Sequence, residues 1–563
     1  MSDKKTVAEC VADFLIAKEI EHVFGYLGGA VAKLIDEMVG TKKIQFIQNY
    51  HEQASALAAD AYARVNHKIG VAIATSGPGA TNLVTGIANA QLDSIPTLFI
   101  TGQDYYANVS RDNKARLNGF QDLDIVKVVE PITKYAVMLE RAEDIRYELE
   151  KCYANATSGR PGAVLIDIPL DIQFTQVLWD DLSPYQGEDD TNFYDLSKCG
   201  QLLELIQSSK RPVILAGGGI QLANSSEYLK DFSQLTNIPV VTTLNGVDAM
   251  EGAYSFAGLH GNLVSNIMVR NADLIIALGT RFGQRQVGKD TSKYSNARVV
   301  HVDIDIPEFN RVLQSSLNIL SPLDVFFEFF LKEYSDTKFP QFLKWNKTAE
   351  SWKDKYNNAS ELNNKGVKPV IFSKFLIDQL PENSIVCADV GQNQMWVAQA
   401  FSKKRGMRLL NSSGLGAMGY SLPAAIGSCY ARPTANVVCT TGDGGLQMNI
   451  QELMLISHKN LNVKIVVYNN NTLGMMREAQ ERYYGSRFYG ANEDYFRCVD
   501  IKGLAAAYGL DYIQITRNDE FDRIKPYIES SSPCIIELVI DIDSKLSNRY
   551  DESLIIEKNI LND

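Results

Sequence analysis

Two loops carry chemistry on their face: GDGG, with Asp443 between glycines, and NNNTLG, with Asn470 and Thr472 in an asparagine-rich turn. Asp443 offers a carboxylate oxygen, Asn470 a side-chain carbonyl, and Thr472 a backbone or hydroxyl oxygen. That is the ligand set Mg2+ takes beside phosphate. Between them QELMLISHK has apolar residues at helical spacing, and VKIVVY is a β-branched run. Strand, helix and strand therefore bring both loops to one edge of a parallel sheet. Gly442, Gly444 and Gly445 let a phosphate approach the backbone at a helix N-terminus. Asp-Gly alone is a common turn dipeptide; the second loop at βαβ distance is what makes a metal–diphosphate site. No G-x-x-x-x-G-K-[ST] occurs, so a P-loop has no support.

A second group lies near the start of the chain. Glu52 opens NYHEQASALAADAYARV, where Ala54, Leu57, Ala58 and Ala61 form an apolar stripe that must pack tightly on something. His51 and Glu52 look like the start of H-E-x-x-H, but position 55 is Ser, which removes the zinc reading. Glu52 on its own is also an ordinary first-turn acid favoured by the helix dipole. Downstream, Gly77, Pro78 and Gly79 make a tight turn after GVAIATS, and Gly102 and Gln103 follow a further strand. Such turns gather at the carboxyl end of a sheet, where α/β ligand sites form, and suit a polar heteroaromatic ligand.

The elements that position these groups alternate. Residues 1–180 give HVFGY, KIQFIQ, GVAIATS, IPTLFITG and GAVLIDIP, separated by helical patterns; residues 190–335 give PVILAGGG, IPVVTTL, ADLIIALGTRF and ARVVHVDID; residues 367–550 give SIVCADVG, ANVVCTTGDGG, VKIVVYNNN and PCIIELVID. The fold class is α/β: three doubly wound domains with mainly parallel sheets. SPYQGEDDTNFYD and LKWNKTAESWKDKYNNASELNNKG read as connectors, and the opening residues as an amphipathic helix. A length of 563 residues suits three domains, and 45% hydrophobic with 22% charged residues suits a globular chain. The net charge of -12 argues against nucleic acid or an anionic membrane as partner. Eight scattered cysteines with no C-x-x-C, and no membrane-length apolar run, point to reduced thiols and the cytoplasm.

HEQASALAADAYAR, TSGPGATNLVTGIANAQLDSIP, GFQD, SGRPGAVLIDIP, ADVGQNQMW, GLGAMGYSLPAAIG and GDGGLQMNIQEL with NNNTLG together resemble the catalytic subunit of acetohydroxyacid synthase (acetolactate synthase), a thiamine-diphosphate enzyme. The resemblance runs nearly end to end, the last twenty or so residues excepted. It implies the thiamine-diphosphate architecture, with Glu52 hydrogen-bonded to the cofactor's aminopyrimidine and promoting loss of the thiazolium C2 proton. It implies Met418 beneath the bent cofactor, Gly416 beside its amino group, and Val390, Gly391, Gln392 and Asn393 at the diphosphate, Asn393 replacing a histidine. Further cofactor contacts are implied for Gly28, Pro78, Asn82, Gln103, Leu473, Gly474 and Met475. Phe120, Gln121 and Lys134 match positions lining the channel to the thiazolium, Gln121 being the best candidate for substrate contact; Phe120 is equally a core residue and Lys134 a surface charge.

For the middle domain the resemblance implies a structural FAD, held by Arg160, Gly217, Gly218, Gly219, Thr242, Leu244, Leu259, His260, Gly261, Arg281, Arg285, Asp303, Ile304 and Asp324. The family's RFDDR is here RFGQR, which keeps both arginines and loses both acids. The implied reaction is decarboxylation of pyruvate and addition of the two-carbon unit to a second carbonyl compound, in a homodimer or homotetramer. Two alternatives stand beside it. A keto-sugar acceptor is suggested by Ala479, where the family carries a tryptophan, by Leu170 in place of a lysine, and by a tail lacking the usual proline-rich close. Simple 2-keto-acid decarboxylation is disfavoured by the lack of a His-His pair.

Overall fold

The computed structural model describes residues 4–109, 116–187, 194–356 and 365–546. Three parallel sheets of six strands organise them. The first runs, edge to edge, Gln45–Gln48, His22–Gly25, Gly70–Ala74, Thr97–Gln103, Ala163–Pro169 and Tyr135–Met138. The second runs Tyr254–Phe256, Val240–Thr242, Pro212–Ala216, Leu274–Leu278, Arg298–Asp303 and Leu317–Leu320. The third runs Arg408–Asn411, Ile385–Ala388, Val437–Gly442, Val463–Asn469, Cys534–Val539 and Asp511–Ile515. The doubly wound class read from the alternation is the class observed.

In each sheet the chain winds outward from one strand, then returns to wind the other way, which leaves a crevice where the direction reverses. In the first sheet that point lies between His22–Gly25 and Gly70–Ala74, so Gly28 and the Thr75–Gly79 turn flank it. In the second it lies between Pro212–Ala216 and Leu274–Leu278, flanked by Gly217–Gly219 and Gly279–Arg281. In the third it lies between Ile385–Ala388 and Val437–Gly442, flanked by Asp389–Asn393 and Asp443. All three groups of candidate residues meet a switch point.

The alanine-rich helix is Glu52–Asn66, and its partner is Ser421–Ala431 of the third domain. Gly427 lies against the carbonyl of Ala58, and Gly86 against the methyl of Ala56; a Cβ at either glycine would overlap its neighbour. Small residues on both helices permit this approach, so one apolar core spans the first and third domains. At its rim Arg64 pairs with Asp60 at 2.8 Å and Asp93 at 3.1 Å, and the Tyr420 hydroxyl donates to Asp60 at 3.2 Å. Arg408 pairs with Asp248 of the middle domain at 2.7 Å and donates to the Arg64 carbonyl at 2.6 Å, so all three domains meet there.

One expected connector is not a loop. Its first part is the helix Leu343–Tyr356, which buries Trp345, Ala349 and Trp352 along one face in the middle domain's core, the Trp345 indole donating to the Pro212 carbonyl at 3.0 Å. Six of the thirteen residues of SPYQGEDDTNFYD, and most of the atypical tail, lie outside the described residues. The opening segment forms the helix Val7–Ala17, begun by a Thr6–Glu9 capping box. Among the described residues no helix is long and apolar enough to cross a membrane.

Candidate active site

Strands Val437–Gly442 and Val463–Asn469 pair in parallel, with Gly442 opposite Tyr468, so Asp443 and Asn470 emerge at the same sheet edge. Asp443 is 2% exposed; its Oδ1 accepts from the Gly444 N–H at 2.9 Å, and the N–H groups of Asn471 and Thr472 also face the carboxylate. Burial pushes its pKa up to about 7. Its Oδ2 is buried with no hydrogen-bond partner among the described residues. An orphaned carboxylate oxygen is expensive unless a proton or a cation meets it, and beside Asn470 a divalent cation fits. The Thr472 hydroxyl donates to the Ala491 carbonyl at 2.7 Å, which ties that side chain to a neighbouring loop and leaves the Thr472 backbone carbonyl as the simpler oxygen for a cation.

Around this edge the residues divide. Among the described residues both polar atoms of the Asn393 side chain are buried without partners, and the amide nitrogen lies against Gly391 and Gly442, which fits a donor to diphosphate. Val390 and Gly391 form the turn beneath it, Gly391 at φ 148°. A Cβ on Gly444 would meet Leu473 at 2.7 Å and the Met418 methyl at 3.6 Å, so these two side chains floor the loop. A Cβ on Gly445 would meet Thr441 and Asp389, while Gly416, at φ 74°, faces open space. Gln392 differs from its expected place. It accepts from the Asn470 amide at 3.2 Å and donates to Glu478 at 2.5 Å and to the Ser544 carbonyl at 2.9 Å, so it braces the metal turn rather than the diphosphate. Gly474 owes its lack of a side chain to Gln392, whose amide a Cβ would overlap, and Met475 packs on the third domain's core.

Glu52 is the first residue of its helix and is buried; its Oε2 accepts from the Asn82 amide at 2.9 Å, and its Oε1 lies 3.1 Å from where a Cβ on Gly79 would stand. His51, at the N-cap, accepts from the Gln53 N–H through Nδ1 at 3.1 Å, a capping role in place of metal binding. Gly28 and Gly79 both pack on Thr75, whose hydroxyl accepts from the Ala30 N–H at 3.2 Å. Gly77, at φ 61°, lies against Gln121, itself at φ 59°, and the Ser76 hydroxyl donates to the Gln121 amide oxygen at 3.5 Å. Pro78 is the exposed first residue of the helix Pro78–Asn82.

Three expectations are corrected. Phe120 is 81% exposed and so is no core residue. Gln103 is buried and fully engaged, donating to the Leu123 carbonyl at 2.8 Å and Asp167 at 3.1 Å while accepting from the Asp104 N–H at 3.0 Å, which leaves nothing for a cofactor. Lys134 donates to the Ser158 carbonyl at 2.9 Å and the Arg160 carbonyl at 2.8 Å, so it props the Arg160 loop and does not join Glu52. Among the described residues no hydrogen bond joins Glu52 or Asn82 to Asp443, Asn470 or Met418; they stand as two clusters.

The middle domain's switch point opens into a cavity of about 820 Å³. Its wall includes Arg160, Gly218, Gly219, Leu244, Leu259, Arg281, Arg285, Asp303, Ile304 and Asp324, ten of the residues the resemblance implies for a flavin. The other four stand behind it: Gly217 is pressed on the Gly279 carbonyl, Thr242 is buried within its strand, Gly261 folds onto Gly258, and the His260 carbonyl accepts from Gln399. Arg160 pairs with Asp305 at 2.6 Å and Glu308 at 2.9 Å, and Arg281 donates to the Leu92 carbonyl at 2.7 Å. Arg285 has Gln394 at 3.4 Å and, among the described residues, no carboxylate partner. The loss of both acids from RFGQR leaves that cation on the wall for an anionic ligand.

Three residues escaped sequence reasoning. Thr75 hides in the turn just after the apolar strand Gly70–Ala74; Asp389, fully buried at the third switch point, accepts from the Gly419 and Ser421 N–H groups at 2.9 and 3.0 Å; Glu452 reads as a helix-surface acid but is buried. An acid closing an apolar strand one residue before the VGQ turn was the available sign for Asp389.

Three family models match the chain: the thiamine pyrophosphate enzyme N-terminal TPP binding domain over residues 5–128, the central domain over 199–328, and the C-terminal TPP binding domain over 389–538. The chain is 34% identical to the acetolactate synthase isozyme 2 large subunit of Escherichia coli (strain K12), over 95% of each chain. It is 36% identical to the acetolactate synthase large subunit of Lactococcus lactis subsp. lactis (strain IL1403), over 92% of this chain and 90% of that one. It is 34% identical to that of Cyanidium caldarium, over 95% of this chain and 93% of that one.

Proposed function

This chain belongs to the family of acetolactate synthase large subunits, which are thiamine pyrophosphate enzymes, and we propose that it completes its catalytic centre by setting Glu52 of one copy against Asp443 of a second. It is a thiamine-diphosphate-dependent pyruvate carboligase. The observation that carries the residue assignment is the buried Oδ2 of Asp443, without a hydrogen-bond partner among the described residues, beside Asn470. Asp443, Asn470 and the Thr472 carbonyl hold Mg2+, and Asn393 donates to the diphosphate. Met418 and Leu473 give the cofactor an apolar floor. Bound thiamine diphosphate supplies the electron sink that lets pyruvate lose CO2. Glu52 holds and moves a proton at its carboxylate, with Asn82 fixing its direction. Gln121 and Phe120 face the substrate from the partner's side of the cleft. Support for a second copy comes from apolar side chains left in water near both clusters, Phe120 at 81%, Leu27 at 52%, Met448 at 54% and Met476 at 51% exposure. Eight free cysteines suit a cytoplasmic setting.

The acceptor is a second carbonyl compound, and pyruvate itself is the first to test. Carbon-labelled pyruvate is expected to give a new carbon–carbon bond, as 2-acetolactate; acetaldehyde as the sole product would overturn the carboligase reading. Ala479 lies half-buried on the helix Gly474–Tyr483, which starts at the metal turn. Ala479→Trp is expected to lower kcat/KM for bulky acceptors relative to pyruvate by about tenfold, since an indole fills space a methyl leaves open. An unchanged ratio would mean that Ala479 does not face the acceptor.

In this reading the cavity of the middle domain would hold FAD, with Gly218, Gly219 and Arg285, which has no carboxylate partner among the described residues, available to its diphosphate. The reaction is redox-neutral, so the flavin's part is to hold the domains together. Arg285→Gln is expected to weaken flavin retention about tenfold, as a charge-assisted contact is lost. Flavin absorbance of the purified protein checks it, and equal retention would remove Arg285 from the site.

A further inference from the structure

Glu452 ends the short 3-10 turn Ile450–Glu452, a few residues beyond the Asp443 loop, and is 0% exposed. Its Oε2 accepts from the Asn49 amide at 2.9 Å and its Oε1 from the Tyr50 N–H at 2.8 Å, while the His51 N–H also faces the carboxylate. Among the described residues no lysine or arginine pairs with it. Burial pushes its pKa up to about 7. A buried carboxylate without a cation is costly, and here the compensating donors come from a single turn of another domain.

That turn, residues 49–51, joins the edge strand Gln45–Gln48 to the helix Glu52–Asn66. It ends at His51, whose extended backbone, φ -155° and ψ 140°, sets the direction in which Glu52 leaves. We propose that Glu452 is a positioning residue: from the domain that grips the diphosphate end of one site, it fixes the turn that aims Glu52 at the cofactor of the other. The inference rests on the assignment of Glu52 as the group that works on the cofactor. Small displacements of such a group are expensive in rate, which gives the anchor its purpose. Asn49 supplies a second feature: its Oδ1 is buried without a partner among the described residues, so its side chain is held there through its amide nitrogen.

The test uses the full-length protein in three variants, each with a melting curve to show that it folds. In Glu452→Ala, backbone hydrogen exchange at Tyr50 and His51, followed without cofactor, is expected to quicken about tenfold. With thiamine diphosphate and Mg2+ added, C2-proton exchange is expected to slow about tenfold while cofactor affinity stays within about threefold, because the diphosphate contacts are untouched. Glu452→Gln is expected to stay near the parent on both measures, since Asn49 can turn its side chain over and present Oδ1 to the new amide. Asn49→Ala, which removes one donor and leaves Glu452 in place, is expected to fall between and serves if Glu452→Ala does not fold. Parent-like amide exchange in Glu452→Ala and Asn49→Ala overturns the proposal, and so does equal loss in the Gln and Ala variants, which would make Glu452 a proton carrier. Glu52→Gln is the control: parent-like C2 exchange there defeats the Glu52 assignment, whereas slow exchange there with parent-like exchange in Glu452→Ala defeats this inference alone.

Discussion

Glu52→Gln is expected to lower turnover by about 10²–10⁴, the range in which a positioned acid–base group acts, while cofactor affinity changes little. The substitution is nearly isosteric. A glutamine oxygen still accepts from the Asn82 amide, and the space beside Gly79 is unchanged, so the helix and its packing on Ser421–Ala431 survive. What disappears is the ability of the carboxylate to take up and return a proton. Steady-state kcat and the rate of C2-proton exchange, measured on the same sample, must therefore fall together. Exchange at the parent rate with lowered kcat would move the role of Glu52 to a later step; no fall in either would leave Glu52 a first-turn helix acid and nothing more.

How far such a site is legible before the fold is known depends on where its signals lie. The interior strands announce themselves because they are buried on both faces and read as unbroken apolar runs, as VVCTT and VKIVVY do. The strands that escaped notice, Tyr135–Met138, Tyr254–Phe256, Leu317–Leu320, Arg408–Asn411 and Asp511–Ile515, are all at sheet edges. They are short, and several are covered on one side only, so neither length nor hydrophobicity sets them apart from loops. The helix Leu343–Tyr356 was lost for a related reason: two tryptophans and an alanine anchor it, and eleven mostly polar neighbours dilute them.

The same logic divides the site. Asp443 and Asn470 stand out in the sequence because a glycine turn and a βαβ interval constrain where they fall, whereas Glu52 stands out only through the family resemblance. Gln103 and Lys134 were matched by position alone, and position does not reveal whether a polar group is already engaged; the Asp167 carboxylate and the Arg160 loop had engaged them. Glu452 gave no sign at all, because QEL in a helical pattern is what a solvated face looks like. Only the tertiary packing of two domains, 402 residues apart at the Tyr50–Glu452 contact, puts that acid against the backbone of residues 49–51.

Asp443→Ala is expected to reduce thiamine-diphosphate affinity in the presence of Mg2+ by about 10²–10³, the scale set by stripping one partner from a buried charge pair. The remaining oxygens, from Asn470 and the Thr472 carbonyl, are neutral and cannot offset a diphosphate through a shared cation. Binding titrations with and without chelator check this; if chelation leaves the parent's affinity unchanged, the cation site itself is refuted. The variant gains a second use when mixed with Glu52→Gln. If each centre takes Glu52 from one copy and Asp443 from the other, a hybrid dimer carries one centre with both defects and one with neither. Random exchange makes about half the dimers hybrid, so about a quarter of the parent's activity should return from two inactive parents. Native mass spectrometry shows whether subunits have exchanged. Exchange without any recovered activity would mean that Glu52 and Asp443 serve the same centre within one chain, and the exposed Phe120, Met448 and Met476 would then need another partner.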